Sequence, residues 1–255
     1  MHMRVPFLRR VLALVGLFTA GLALPLSAPA EDAPPDPTSG GRYELRELHD
    51  PNGIGKFYLG REIAHVMGHQ GISWLERPER EEEEGLTQLV EALDLKPGQS
   101  VADIGAGSGV ISLKLSEKVG PQGTVLAVDI QQEMLDALAV NCKKQGVTNI
   151  EPVLGTTTSP NLKPGSVDLV IMVDVYHEFD MPFEMLSGIA KSLKPGGRVA
   201  FVEYRKEDPA VPIKEVHKMS EKQVQKEAST EGLGLVWLKT YGKLPRQHVV
   251  FFEKQ

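Results

Sequence analysis

The chain has 255 residues, a formal net charge of −6 and one cysteine. Hydrophobic residues make up 41% of it and charged residues 24%, which is ordinary for a globular protein. This composition excludes a collagen-like, a disordered and a multi-span membrane protein. The length suits one large domain. Because Cys142 is the single cysteine, neither an intrachain disulfide nor a cluster of thiolate metal ligands can form.

The first 30 residues have the pattern of a secretory signal peptide. Three arginines precede an apolar run from Val11 to Leu24, and the stretch Ala28-Pro29-Ala30 offers small residues for cleavage. The apolar run is shorter than the roughly 20 residues that a membrane-spanning helix needs. We therefore expect cleavage after residue 30 and export to the periplasm, without stable membrane insertion. An uncleaved membrane anchor is the alternative.

The net charge of residues 31–255 indicates which kinds of partner the protein can bind. Residues 1–30 contain three arginines and no acid, so 25 basic residues face 34 acidic ones in the rest, a net charge of −9. No run of lysines and arginines is present. Nucleic-acid binding relies on basic side chains that neutralise phosphates. The sequence therefore predicts a small-molecule substrate and no nucleic-acid partner, and it leaves the oligomeric state open.

Two segments precede the main domain. Residues 31–41 (EDAPPDPTSGG) are rich in proline, glycine and aspartate, which predicts a flexible linker. Residues 42–80 contain a short helical stripe of Ile63, Val66 and Met67. We interpret this second segment as a lid or cap over a binding site. Its aromatic and imidazole side chains are Tyr58, His65, His69 and Trp74.

Residues 81–255 alternate between apolar β-type runs and helical patterns, which is typical of a doubly wound, Rossmann-like α/β sheet. The acidic run Glu81–Glu84 is interpreted as the solvated start of one amphipathic helix that continues to Leu93. A short connection near Gly242 predicts that the last two strands form an antiparallel hairpin at one sheet edge. The seven predicted strands are 100–104, 124–129, 150–154, 167–173, 197–204, 235–241 and 247–253. Further helices are predicted near 109–119, 132–145 and 183–194 and from Ser220 onward.

The first of these strands runs into a glycine-rich turn, Gly105-Ala106-Gly107-Ser108-Gly109, which is followed by a helix. Such a turn brings backbone N–H groups close to an anionic ligand group, because glycine has no Cβ to hold the ligand away. The dinucleotide fingerprint G-x-G-x-x-G would need a further glycine at the position of a valine. A nicotinamide oxidoreductase is therefore disfavoured.

Four ordered stretches carry a resemblance to a known family. VADIGAGSGVISLKLS resembles motif I of the class I S-adenosylmethionine-dependent methyltransferases, and LAVDIQ ends its strand where that family has an acidic ribose ligand. SVDLVIMVDVYHEFD and LKPGGRVAFVEYRKED resemble the family's fourth and fifth strand motifs. At the level of fold the resemblance covers roughly residues 95–255. Within that family, the sequence most resembles the broad group that includes ubiquinone and menaquinone biosynthesis methyltransferases.

The resemblance implies S-adenosylmethionine as the cofactor and assigns its contacts. Asp129 would bind the ribose, where a carboxylate can accept bonds from both vicinal hydroxyls, and Ile130 would pack against the adenine. The glycine-rich turn would surround the methionine portion together with Asp103, whose alternative role is to cap the loop backbone. Relatives often have Gly-Asp where this chain has Gly155-Thr156, so a threonine hydroxyl replaces an acid there. The implied cofactor-binding residues are Asp103, Gly105, Ala106, Gly107, Gly109, Asp129, Ile130, Gly155, Thr156 and Asp174.

The catalytic candidates Tyr176, His177 and Glu178 follow the fourth predicted strand, and open α/β sheets bind ligands at the carboxyl ends of their strands. His177 has an ordinary pKa that suits a general base for methyl transfer, and its alternative role is to shape the pocket. Tyr176 either bounds the methyl pocket or packs in the core. Glu203 either touches substrate or forms a surface ion pair.

The sequence predicts no metal site. His65 and His69 have the spacing of a ligand pair on one helical face, but no third ligand is evident and the glutamate of the zinc-protease motif is missing.

From the four motifs and the acidic charge, we interpret the chain as a methyltransferase for a small-molecule acceptor. Quinone-like phenols, other oxygen nucleophiles and carbon acids remain open, whereas arsenite is disfavoured because the chain has one cysteine. The alternative is an exported protein that binds the cofactor without transferring its methyl group.

Overall fold

The structure, a computed structural model, describes residues 41–255. The predicted signal peptide and all but the last residue of the predicted linker lie outside the described residues.

The described chain starts with a small antiparallel sheet of three strands in the order β1-β2-β3. Its strands are β1 Tyr43–Leu45, β2 Gly53–Tyr58 and β3 Arg61–Ala64. Leu59 and Gly60 have φ angles of 49° and 91°, which suit a two-residue hairpin turn between β2 and β3. The helical stripe predicted for Ile63, Val66 and Met67 is therefore wrong. Ile63 is a buried strand residue that packs with Tyr43 and Tyr58, because pairing with β2 holds this segment extended.

Three short helices follow: α1 Ile72–Leu75, α2 Arg80–Glu84 and α3 Leu86–Ala92. The single helix predicted from residue 81 is divided at Gly85, whose left-handed backbone (φ 68°) ends α2 and begins α3. The interpretation of the acidic run as solvated is wrong for its last residue, because Glu84 is only 1% exposed and is bound by two arginines.

The central sheet has seven strands in the order β6-β5-β4-β7-β8-β10-β9. The strands from β6 to β8 in this order are parallel, and β10 pairs antiparallel with both β8 and β9. The predicted fold class and the C-terminal hairpin are confirmed. The strands are β4 Ser100–Ile104, β5 Thr124–Asp129, β6 Ile150–Leu154, β7 Val167–Val173, β8 Leu193–Tyr204, β9 Leu235–Tyr241 and β10 Gln247–Lys254.

Helices cover both faces of this sheet. They are α4 Val110–Val119, α5 Gln132–Gln145, α6 Pro182–Ser192 and α7 Glu221–Ala228, beside α3. Successive residues of β10 point to opposite faces: Phe251 belongs to the buried cluster that contains Leu115 of α4, and Phe252 belongs to the cluster that contains Leu186 of α6. None of the helices within residues 41–255 combines the length and apolar character of a transmembrane span.

A buried ion pair joins the small sheet to the main domain. Arg61 on β3 donates from Nε and Nη2 to the two carboxylate oxygens of Glu227 on α7, at 2.7 and 2.9 Å. Its third nitrogen, Nη1, donates to the backbone oxygen of His177 at 3.0 Å. Breaking a buried pair leaves an uncompensated charge, which costs about 3–5 kcal/mol. The small sheet is therefore held firmly at the carboxyl edge of the central strands.

Candidate active site

A cavity of about 560 Å³ opens at the carboxyl ends of the central strands. Its volume lies within the roughly 300–1,000 Å³ of small-molecule sites. Eight of the residues predicted from the sequence line it: Gly105, Gly107, Asp129, Ile130, Thr156, Asp174, His177 and Glu178. Five others do not: Asp103, Ala106, Gly109, Gly155 and Tyr176. The topology thus gathers loops from β4, β5, β6 and β7 around one space.

The turn after β4 lies close against its neighbours. Gly105 has a φ of 73°, and a Cβ on it would come within 2.5 Å of Val175 Cγ2. Gly107 has a φ of 55°, and its Cβ would lie 2.7 Å from Leu75 Cδ1. Gly105 therefore needs glycine for conformation and for space, and Gly107 needs it for conformation, because the end of the Leu75 side chain can turn away. The N–H groups of Gly105 and Ala106 donate to the carbonyl of Val128 at 2.8 and 3.0 Å, which fixes the turn on β5.

Asp103 lies beneath this turn rather than in the main cavity. Its carboxylate is buried and accepts a hydrogen bond from Ser112 Oγ at 2.6 Å. With Ala106 it lines a small adjoining space of about 30 Å³. Burial raises the pKa of Asp103 to about 6, although the bond from Ser112 and the charge of Arg80 act in the opposite direction. Ser112 belongs to the helix Val110–Val119, so the observed side-chain donor to Asp103 is a helix hydroxyl and not the loop backbone.

Asp129 ends β5 and organises the mouth of the cavity. Oδ2 accepts from the N–H of Gly107 and Oδ1 from that of Gln131, both at 2.9 Å. A carboxylate oxygen has more than one acceptor site, so both oxygens keep capacity for a ligand. Burial raises the pKa of this carboxyl, and the backbone donors lower it. Ile130 is 41% exposed beside it and presents an apolar surface to the cavity.

The loop after β6 supports this mouth. The N–H of Gly155 donates to the carbonyl of Asp129 at 2.9 Å, so Gly155 lies behind the loop. Thr156 is exposed at the cavity rim, where its Oγ1 accepts from the N–H of Ser159 at 3.0 Å.

Gln131 connects the domain to the segment predicted as a lid, and the sequence analysis missed it. Its Nε2 donates to the carbonyl of Met67, and its Oε1 accepts from the N–H of His69, both at 2.9 Å. Glu178 Oε2 accepts from the N–H of Met67 at 3.2 Å. Met67 and Trp74 thereby line the cavity.

The remaining members of that segment have other positions. Tyr58 is buried in the small-sheet core, with its hydroxyl 3.2 Å from Thr230 Oγ1. His65 and His69 do not line the cavity. A glutamine two residues after an acidic strand end offers no pattern by which Gln131 could have been recognised.

Asp174 follows β7 with a φ of 51°, which is uncommon for a residue other than glycine and is often found at functional sites. Its Oδ2 accepts from Gln247 Nε2 at 2.7 Å, and its buried Oδ1 has no partner among residues 41–255. Burial, together with the charges of Glu84 and Glu203, raises its pKa well above the ordinary value.

Arg80 and Glu84 form the charged wall beside Asp174, and both were missed from the sequence. Arg80 Nε lies 2.6 Å from Glu84 Oε2, and both side chains are buried and line the cavity. Tyr204 at the end of β8 donates to Glu84 Oε1 at 2.9 Å. The acidic composition of residues 81–84 concealed this burial.

Tyr176 occupies the core and not the cavity. Its hydroxyl donates to Glu227 Oε2 at 2.7 Å, and its ring packs edge-on against Phe179 and Phe201. The side chain is fully buried. Of the two roles considered for Tyr176 from the sequence, this position agrees with packing in the core.

His177 lies between two partners. Its Nδ1 is 2.6 Å from Glu203 Oε2, and its Nε2 is 3.1 Å from Nδ1 of His217. Burial lowers the pKa of His177 to about 4 and raises that of Glu203 to about 8. The surface ion pair considered for Glu203 is wrong, because this carboxyl is fully buried.

Glu178 and His217 complete the inner wall. Oε1 of Glu178 lies 3.9 Å from His177 Nε2 and 3.7 Å from His217 Nδ1. Burial raises the pKa of Glu178 to about 7. His217 belongs to a 3-10 turn, Glu215–His217, forty residues after His177, and no local motif marked it as a site residue.

Comparisons with known proteins agree with this geometry. Residues 101–197 match the family model described as "Methyltransferase domain". Nocamycin O-methyltransferase of Saccharothrix syringae is 32% identical over 113 residues, which are 44% of this chain and 40% of that protein. Demethylmenaquinone methyltransferase of Lactococcus lactis is 33% identical over 116 residues, 46% of this chain and 45% of that protein. The matches thus span less than half the length of these curated relatives.

A solved structure extends the similarity in three dimensions. The SAM-dependent methyltransferase from Aquifex aeolicus aligns with a TM-score of 0.69 and 25% identity, and the alignment covers 74% of this chain and all of that one. The match therefore includes more of the chain than the family model does. Residues 101–197 thus match a methyltransferase-domain model, and residues 41–255 have the Rossmann-like fold of an S-adenosylmethionine-dependent methyltransferase.

Proposed function

We propose that this protein is an S-adenosylmethionine-dependent methyltransferase that acts on a small molecule. The observation that carries the proposal is Asp129, which fixes the turn after β4 through Gly107 while both of its oxygens keep acceptor capacity beside the cavity. The methyltransferase-domain match over residues 101–197 and the names of the similar proteins support the same activity.

The described residues fit the parts of that cofactor. Asp129 offers acceptors for two ribose hydroxyls, and Ile130 offers an apolar surface for the adenine. At the other side, the unpartnered Oδ1 of Asp174 suits an ammonium group, and the Arg80 guanidinium suits a carboxylate. A zwitterionic amino-acid portion and a nucleoside portion therefore each find complementary groups.

The cofactor, when bound, supplies an electrophilic methyl group, and the residues of the chain position the acceptor. Met67 and Trp74 line the cavity, and Gln131 and Glu178 bind the backbone of Met67, so this segment can restrict water around a bound acceptor. His177 is neutral at pH 7 because burial lowers its pKa, so one ring nitrogen has a free lone pair. Nδ1 contacts Glu203 and Nε2 contacts His217, and the tautomer that these two neighbours select decides which nitrogen accepts a proton.

The cavity size and the net acidic charge favour a small organic acceptor. The two curated relatives are named a nocamycin O-methyltransferase and a demethylmenaquinone methyltransferase, and both names agree with a small-molecule substrate here.

Isothermal titration of the full-length protein tests the proposal, with S-adenosylmethionine, S-adenosylhomocysteine and NAD as separate ligands. We expect micromolar binding of the first two and no binding of NAD. A methyl-labelled cofactor then screens phenols and other small acceptors for transfer. Binding of NAD alone would overturn the assignment, and cofactor binding without transfer to any acceptor in a broad screen would favour the binding-protein alternative.

We also infer export to the periplasm, with cleavage after residue 30, from the pattern of residues 1–30. N-terminal sequencing of the protein from periplasmic, membrane and cytoplasmic fractions tests this inference. A periplasmic protein that begins at Glu31 is the expected result. An intact N-terminus in the membrane fraction would instead indicate an anchor.

A further inference from the structure

Three side chains point donor atoms to one place on the cavity wall. They are Nε2 of His177, Nδ1 of His217 and Oε1 of Glu178, separated by 3.1, 3.7 and 3.9 Å. Two ligand atoms of a tetrahedral zinc ion, bonded at about 2.0–2.2 Å, are about 3.3–3.5 Å apart. The nitrogen pair is close to this spacing, and a shift of about 0.5 Å by the carboxylate oxygen would bring it there as well.

The contact between the two rings is compatible with ligation. A metal-binding imidazole must offer a lone pair. Nε2 of His177 and Nδ1 of His217, 3.1 Å apart, either share one N–H donor or bind one ion through both lone pairs.

Glu203 supplies the partner that metal-bound histidines commonly have. It lies 2.6 Å from Nδ1 of His177, the ring nitrogen opposite the converging atom, and it is fully buried. A carboxylate in this position orients the ring and raises its basicity as a ligand. Glu178 is also held in place, since its other oxygen accepts from the N–H of Met67. The cluster is therefore preorganised from two sides.

We propose that His177, Glu178 and His217 bind one divalent transition-metal ion in the cavity. Two imidazoles and one carboxylate are a donor set for Zn²⁺, and three protein ligands leave a position open for another molecule. All three residues line the cavity, so that position faces its interior. The prediction of no metal site considered residues close together in sequence, whereas these donors meet only in the folded chain.

One consequence rests on the proposed function. An ion at this place would bind an oxygen donor of the methyl acceptor and lower its pKa, which favours acceptors that carry a hydroxyl group. It would also occupy Nε2 of His177, so this histidine would act as a ligand and not as a base. Metal binding itself does not depend on methyl transfer.

The test is isothermal titration of chelator-treated, full-length protein with ZnCl₂. We expect one equivalent to bind the wild type, and His217→Ala to bind at least about 100-fold more weakly. Glu203→Gln, which keeps the three donors, should weaken binding about 10- to 100-fold. His69→Ala is the matched control, because this histidine does not line the cavity, and it should bind as the wild type does.

Thermal unfolding of each variant separates loss of the site from loss of the fold. The inference is overturned if the wild type takes up no zinc, or if folded His217→Ala binds it with the wild-type affinity. A parallel titration of the same samples with S-adenosylhomocysteine keeps the two proposals apart. Zinc binding without nucleoside binding would contradict the proposed function alone, and the reverse result would contradict the metal site alone.

Discussion

Gln131 holds Met67 over the cavity: its side-chain Nε2 donates to the Met67 carbonyl at 2.9 Å across 64 residues of sequence. The same amide accepts from the N–H of His69 at 2.9 Å, so one side chain binds two backbone groups of the segment predicted as a lid. Because Gln131 directly follows Asp129 and Ile130, the proposed cofactor site and the segment predicted as a lid are joined by one side chain.

The first prediction concerns this contact. Gln131→Ala removes two hydrogen bonds, each worth about 0.5–1.5 kcal/mol net, and frees the lid segment. We expect the Kd for S-adenosylhomocysteine to rise about tenfold, as measured by isothermal titration. The control is Gln132→Ala, since Gln132 is exposed and bonds only to Asp136 among the described side chains. Equal affinities of the two variants would show that the lid contact does not contribute to binding.

The second prediction concerns the ribose assignment. Asp129→Asn keeps one acceptor oxygen, which can serve the N–H of Gly107 or of Gln131 but not both, and it loses the charge that strengthens hydrogen bonds to a diol. Hydrogen bonds to charged groups are worth about 1.5–3 kcal/mol, so we expect the Kd for S-adenosylhomocysteine to rise about 10- to 100-fold. Asp136→Asn, at an exposed position on α5, should leave the Kd unchanged. An unaltered Kd in folded Asp129→Asn would refute the assignment.

The third prediction separates two costs at a glycine. Gly105 and Gly146 have similar left-handed φ angles of 73° and 67°. A Cβ added at Gly105 would lie 2.5 Å from Val175, whereas a Cβ added at Gly146 would have no atom within 4 Å. Alanine at either position costs about 1–2 kcal/mol for the left-handed backbone. Overpacking adds about 1–3 kcal/mol at Gly105. Urea unfolding should therefore show the larger loss for Gly105→Ala, and equal losses would mean that Val175 moves aside freely.

The fourth prediction concerns pH. Burial raises the pKa of Asp103 from its ordinary 3.8 to about 6, so between these values the folded protein keeps a proton that the unfolded chain has lost. The free energy of unfolding therefore falls as pH rises through this interval, by about 3 kcal/mol at 1.36 kcal/mol per pH unit. Asp103→Asn cannot lose this proton, so its stability relative to the wild type should increase between pH 4 and pH 7.

Urea unfolding of the wild type and of Asp103→Asn between pH 4 and pH 7 measures the difference between their free energies of unfolding. Groups that titrate equally in both proteins do not affect this difference. Asp136→Asn provides the exposed carboxylate for comparison and should show a nearly constant difference. A constant difference for Asp103→Asn as well would mean that Asp103 ionises in the folded protein at its ordinary pKa.

The sequence by itself determined the central sheet and its ligand edge. Strand positions follow from local alternation of apolar runs with helical patterns, and burial of both sheet faces makes that pattern strong. The turn of Gly105 and Gly107 and the acid at Asp129 are also local, since glycine is required wherever the backbone is left-handed and crowded. These features place the cavity before any coordinates are known.

Only the tertiary structure decided which side chains meet in the cavity. His177 and His217 come from turns forty residues apart, and their 3.1 Å contact depends on how β8 and its following loop pack. Glu84 is buried although its neighbours are acidic, because Arg77 and Arg80 bind it. Composition and periodicity describe a residue's own element, whereas the burial of charged groups and the contacts between distant side chains are set by how separate elements pack together.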